Sequence, residues 1–184
     1  SSLMIKREEG IIVPPLSEDL IANLAVWVRD LAQFSKRKNL PILPLYEKLR
    51  ELRVFGDKAH FEVVKDSDLG DDDARTYPDQ GKILLRESVY DGAALGDPRA
   101  RFTMGHELGH LVLHRDIPFA RANIKSPPKI YQNSEWQADV FASHLLMPAP
   151  LLKGYMHPED VMRDFSVSYS AANTRLRKLK EKGL

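Results

Sequence analysis

The chain has 184 residues, 43% of them hydrophobic, and a formal net charge of +1, which suits one compact domain with a small appendage and excludes a disordered chain. So even a charge balance gives no global field for nucleic acid or an anionic membrane, and contact of that kind would need a local patch. The absence of cysteine excludes a disulfide scaffold and any thiolate metal site, leaving histidine and carboxylate as the strong ligands.

No run of about 18 apolar residues occurs and the N-terminal segment lacks a signal pattern, so a soluble, cytoplasmic protein without membrane contact is expected. Ser17 is a good N-cap, and Leu20, Ile21, Leu24, Trp27, Val28, Leu31 and Phe34 recur at helical spacing, predicting a helix over 18–34 with its aromatic pair in the core. The charged turn 35–39 ends it. Pro41 and Pro44 mark entry to a shorter helix through Leu45, Leu49 and Leu52. The period then changes to that of strands at 60–65, 74–77 and 81–86, predicting a small antiparallel sheet. The acidic stretch 66–73 lacks the glutamate that closes an EF-hand loop, so it reads as a solvated turn. Residues 89–96, rich in Gly and Ala, read as a linker.

Asp97-Pro98 supplies an N-cap and a first-turn proline for a helix over 98–114. This helix carries His106-Glu107-Leu108-Gly109-His110. At about 100° per residue His106 and His110 share one face, where two imidazoles can hold one metal ion. Glu107 lies beside that face, placed to act as a general base on a water without being a ligand. Two histidines four apart are also compatible with ordinary core or surface residues, so a third ligand decides. Gly105 and Gly109 each cost about 1 kcal/mol against alanine in a helix interior, which points to close approach of another backbone or of a substrate. His114, one further turn along from His110, is within reach of the site, but the preferred reading is a helix-end histidine favoured by the dipole.

Residues 116–133 read as a long loop. A second helix follows over 135–147, with Ser134 as N-cap and Pro148 as its stop. Glu135 and Asp139 share a face, and Ala138 and Ala142 keep that side narrow. Glu135 either completes the metal site or is a favourable first-turn acid, and spacing alone does not separate the two. Asp139 is placed to accept a hydrogen bond from a ligating histidine. His144, nine positions from Glu135, faces away and is excluded as a ligand. Tyr131 and Tyr90 are candidate donors to an oxyanion, and the strand at 82–86 is a candidate to pair with an extended substrate.

The C-terminal stretch predicts helices over 158–165 and 169–182, joined by Ser166-Val167-Ser168 like a helix-turn-helix. Six basic against two acidic residues from 163 to 184 give +4, enough for weak phosphate contact, though packing against the preceding domain is the preferred reading. The expected division is 1–152 and 153–184.

The motifs over 101–148, Arg-Phe-Thr-x-x-His-Glu-Leu-Gly-His-x-x-Leu-His and Glu-x-x-Ala-x-x-Phe-Ala-x-x-Leu-Leu-Met-Pro, resemble the ImmA/IrrE family of bacterial and phage zinc metallopeptidases. Asp139 and Gln137 stand where members often carry Asn and Glu. The resemblance implies an α+β fold, a mainly helical zincin-like domain with a small sheet and a helix-turn-helix-like C-terminal pair. It implies Zn2+ held by His106, His110 and Glu135, with Glu107 as catalytic base. It also implies selective regulatory proteolysis of a helix-turn-helix repressor or antitoxin-type protein. The alternative is a zinc-containing transcriptional regulator whose C-terminal helices bind DNA. Glu107 argues against that, since a structural zinc needs no base beside it.

Overall fold

Asp97 accepts a hydrogen bond from the Ala100 amide at 2.9 Å and Pro98 takes the first helical position, so α4 (Pro98–Leu113) starts where its sequence dictates. The computed structural model describes residues 11–115 and 133–183. Among the described residues six α-helices and β-strands precede the motif helix, the first four being α1 (Glu18–Leu31), α2 (Ile42–Glu51), β1 (His60–Val64) and β2 (Ala74–Tyr77). Then come β3 (Lys82–Arg86) and α3 (Glu87–Ala94), and after α4 the helices α5 (Ser134–Leu146), α6 (Pro158–Phe165) and α7 (Tyr169–Glu181).

The glycines of α4 face α5. A Cβ on Gly105 would lie 3.3 Å from the Ala142 Cβ, and one on Gly109 would lie 3.1 Å from the Phe141 Cβ and 3.2 Å from the Ala138 Cα. The helix-propensity cost of both glycines is therefore offset by contact with a second backbone. The cap of α5 falls one residue before the predicted Ser134. Asn133 Oδ1 accepts from the amides of Glu135 at 2.8 Å and Trp136 at 3.1 Å. Ser134 instead ties down the chain at Ile11, its Oγ accepting from the Ile11 amide at 2.9 Å and its own amide donating to the Ile11 carbonyl at 3.0 Å.

Ile21, Ala25 and Val28 form the buried stripe of α1, which packs on α5. The helix stops at Leu31 rather than 34, because Gln33 adopts a left-handed conformation at φ 63°. Trp27, one position from Val28 and so about 100° away, is 47% exposed, and Phe34 is only half-buried. The expected aromatic pair is thus not in the core. Two arginines are buried there instead, each bonded to carbonyls left over at element ends. Arg29 Nη1 donates to the Leu145 carbonyl at 2.7 Å, and burial lowers its pKa to about 10. Arg101 of α4 donates to the carbonyls of Leu40 at 2.7 Å and Ser166 at 3.2 Å, joining the entry of α2 to the α6–α7 turn.

The sheet is mixed where an antiparallel one was predicted. Its order is β1-β3-β2, with β3 parallel to β1 and antiparallel to β2. Alternation identifies strands but not their neighbours. Ile83 and Leu85 point into the core, so β3 takes the centre and the long 65–73 connection lets β1 pair on its far side. The acidic stretch is more ordered than a bare solvated turn. Asp72 pairs with Arg75 at 2.8 Å, and Asp66 accepts from the Ser88 amide at 3.1 Å. The predicted linker 89–96 is mostly α3. Its interior Gly92 sits where a Cβ would come within 3.1 Å of the Ala100 Cβ, a small residue at a helix contact rather than a breaker.

Ser168 caps α7 as predicted, accepting from the Ala171 amide at 3.1 Å. Val161, Phe165, Val167, Ala172 and Leu179 belong to the same hydrophobic cluster as the residues of α1, α4 and α5. Arg175 is buried, donating to the Met147 carbonyl at 3.0 Å and to His144 Nδ1 at 3.1 Å. Arg163 is held by Asp160 and Asp164. Among the described residues no helix is long and apolar enough to cross a membrane.

Two stability effects follow from this packing. Gly109→Ala presses on the α5 backbone and should cost about 1–3 kcal/mol. Gly105→Ala meets only a side-chain methyl at its nearest point, and the gain in helix propensity, about 1 kcal/mol, should leave it milder. Urea denaturation ranks the two, and an equal or larger loss at Gly105 would contradict the packing described. His144, whose Nε2–H donates to Glu18 Oε1 at 3.1 Å, has its pKa lowered to about 4 by burial and by Arg175. The folded state therefore prefers the neutral ring. That stability is present above the unfolded pKa of about 6.5 and is lost as pH falls from there towards about 4. His144→Asn, which keeps an acceptor for Arg175, should make unfolding free energy less steep in pH over that window. An unchanged slope would remove His144 from the account.

Candidate metal centre

One turn of α4 separates His106 from His110, and their rings meet edge to face with centroids 4.7 Å apart. Their Nε2 atoms converge to 3.1 Å. The close approach of α5 brings in Glu135 from its first turn, with Oε2 2.6 Å from His106 Nε2 and 3.2 Å from His110 Nε2. All three residues are buried, and among the described residues they are the group whose donor atoms lie close enough together to hold a metal ion. Both readings of Glu135 describe its position: it is a first-turn acid and it stands at the histidines.

The electrostatics favour positive charge between these atoms. Burial alone would lower the pKa of His106, but hydrogen bonds with Asp139 and Glu135 outweigh it and raise the pKa to about 9. Burial would raise the carboxyl of Glu135, and the two histidines outweigh it and hold it down. Glu135 Oε1 is buried without a hydrogen-bond partner, an uncompensated acceptor of a kind that costs free energy in an interior. Two imidazole nitrogens and a carboxylate, one oxygen of which is an unsatisfied acceptor, fit a divalent cation that takes nitrogen and oxygen ligands.

Each histidine is also held from behind. His106 Nδ1–H donates to Asp139 Oδ1 at 2.6 Å, so the proton this ring would give up to a metal is the one on Nε2. His110 Nδ1 lies 2.9 Å from His114 Nδ1, His114 Nε2 lies 2.9 Å from Gln137 Oε1, and Gln137 Nε2 donates to the Pro14 carbonyl at 2.9 Å. The reading of His114 as a helix-end residue is therefore incomplete. Its ring is 0% exposed and touches a candidate ligand, because α5 covers this end of the α4 face. Burial first, and then His110, lowers its pKa to about 3. The repeat of His106, His110 and His114 at intervals of four was the available signal. His144 faces Glu18 and Arg175, away from the centre.

Glu107 follows His106 on α4 but turns to the sheet. Its Oε2 accepts from Thr76 Oγ1 at 2.5 Å, and both residues are buried. Nothing in the sequence marks Thr76, which reaches Glu107 because β2 packs on α4. Tyr46 of α2 donates to the Met104 carbonyl at 2.5 Å, and burial, then the nearby Glu107, raises its pKa well above the ordinary phenol value. Tyr90 is 40% exposed on α3. Tyr131 and positions 116–132 of the predicted loop lie outside the described residues.

No curated protein matches the chain. A family model described as the IrrE N-terminal-like domain, peptidase family M78, matches residues 59–177. The matched span runs from the start of the sheet into α7 and contains His106, Glu107, His110 and Glu135. It takes in more than half of the chain, and the sequence resemblance and the site geometry agree with it: the chain belongs to the M78 peptidase family.

Proposed function

We propose that the protein is a zinc-dependent endopeptidase in which His106, His110 and Glu135 hold the ion and Glu107 is the catalytic base. The observation that carries this reading is the separation of roles on one helix. Two histidine Nε2 atoms and Glu135 Oε2 converge, while Glu107, the intervening acid, is held apart by Thr76. A structural metal site has no use for such an acid.

Zinc bound there would supply Lewis acidity, polarising a peptide carbonyl and bringing the pKa of an adjacent water towards about 7. Thr76 holds one oxygen of Glu107 through its hydroxyl proton, which leaves the other to take the proton of the attacking water and return it to the leaving amine. Asp139 fixes the ring of His106. The substrate backbone needs a rail, and β3 is not one, since it is paired on both sides. Among the described residues β2 is an edge strand packed on α4 beside Glu107, so its outer edge is the place for an extended peptide.

The substrate is proposed to be a helix-turn-helix repressor or antitoxin-type protein in the cytoplasm, a reading that rests on the resemblance of the motifs. DNA contact by α6 and α7 is proposed to be weak, because Arg175 is buried and Arg163 is paired with acids.

Metal analysis of the wild type should give one zinc per chain, with occupancy lost in His110→Ala and Glu135→Gln. Full retention in both would overturn the ligand set. Glu107→Gln should keep its zinc and lose cleavage by about 10²–10⁴-fold, measured on a substrate found by comparing proteomes of cells making wild type or variant. Cleavage near the wild-type rate would refute the mechanism. Thr76→Val should keep zinc and lower kcat by about tenfold, the loss of one hydrogen bond to a charged group.

A further inference from the structure

The two candidate ligands on α4 are backed by different chemistry. An ionised carboxylate only accepts, so Asp139 by itself decides where the proton of His106 sits. His110 is backed by another imidazole, 2.9 Å away, and an imidazole can donate or accept. Left alone, such a pair has two arrangements. In one, His110 donates from Nδ1 and offers a lone pair at Nε2. In the other, His114 donates, and His110 carries its proton on Nε2, which then cannot bind a metal.

The rest of the chain of contacts chooses between them. The Pro14 carbonyl has no proton to give, so the Gln137 atom 2.9 Å from it is the amide nitrogen. That orientation turns the Gln137 oxygen towards His114 Nε2, also 2.9 Å away, and requires a proton there. A His110 that offers Nε2 to a metal carries its one proton on Nδ1, so the 2.9 Å Nδ1···Nδ1 contact closes only if His114 Nδ1 is the acceptor. His110 must then supply the hydrogen of the Nδ1···Nδ1 contact. The anchor is itself fixed: residues 11–14 are tied to the first turn of α5 through Ile11 and Ser134 and through an isolated bridge between Ile12 and Asn133.

We propose that His114 is a positioning residue which, oriented by Gln137 and the Pro14 carbonyl, holds the proton of His110 on Nδ1 and keeps its Nε2 free for the metal. This rests on the reading of His110 as a ligand. It assigns to the segment before α1 a part in the metal site, delivered across three neutral hydrogen bonds, with no charge added beside the ion. The third histidine of the α4 stripe is thus a support and not a ligand.

The test uses the full chain and Zn2+. In the zinc-loaded wild type, long-range 15N–1H correlation should show His114 protonated on Nε2 alone, with its bare Nδ1 coupled across the hydrogen bond to the Nδ1–H of His110. Competition with a chromophoric chelator should show zinc affinity lowered by roughly 10–100-fold in His114→Leu. His114→Asn, which places an oxygen near the lost Nδ1, should recover most of that. A packing role predicts the reverse order, because leucine keeps the volume and asparagine leaves a void. A proton on His114 Nδ1, wild-type affinity in His114→Leu to within about twofold, or Asn binding more weakly than Leu would each overturn the proposal. Should His114→Leu not fold, the wild-type spectrum decides. Failure of the wild type to bind zinc would instead remove the metal-site reading itself, a result distinct from zinc binding that is indifferent to His114.

Discussion

The close contact of α4 with α5 is the constraint on which the centre depends. A carboxylate in the first turn of one helix reaches histidines on another only if the backbones approach to about the lower end of helix packing distances, roughly 8 Å. Gly105 and Gly109 remove the side chains that would hold them apart, and Ala138 and Ala142 do the same from α5. Glu135 then arrives within 2.6 Å of His106. The same approach aligns Gln137 with His114 and Asp139 with His106, so three residues of α5 at alternate positions serve the histidine stripe of α4.

Holding so many polar groups in an interior is costly unless they satisfy one another. Here the satisfaction is divided between two neighbours. Behind the histidines it comes from α5 and the segment ending at Pro14. Behind Glu107 it comes from the sheet, through Thr76. The mixed strand order matters to this second support. With β3 in the centre, β2 lies at an edge of the described strands, against α4, where Thr76 meets Glu107.

The C-terminal helices are bound into the same core by Arg101 and Arg175, which donate to carbonyls at 165–166 and 147. A guanidinium suits this work because its several donors lie in a rigid plane and remain charged when buried. The family match, which continues through these helices to residue 177, is in keeping with a peptidase fold that uses them as part of its body.

By itself the sequence determined the motif helix, its cap at Asp97, the pairing of His106 with His110 and the cost carried by Gly105 and Gly109, because each depends on residues within a few positions of one another. It also placed the strands and the capped α7. Only the tertiary structure decided which strand is central, that residues 87–94 form a helix, that Trp27 faces outward, and that Arg29, Arg101 and Arg175 are interior. Strand order and burial are set by contacts between residues distant in the chain, and local periodicity carries no record of them. The centre divides along the same line. The two histidines four apart are a property of the α-helix, whereas Glu135 at the histidines, Thr76 on Glu107 and the line from His114 to Pro14 span 25, 31 and 123 residues where their hydrogen bonds close. The first and the last of these close only once two glycines have let α4 and α5 meet, and the second only once β2 packs on α4.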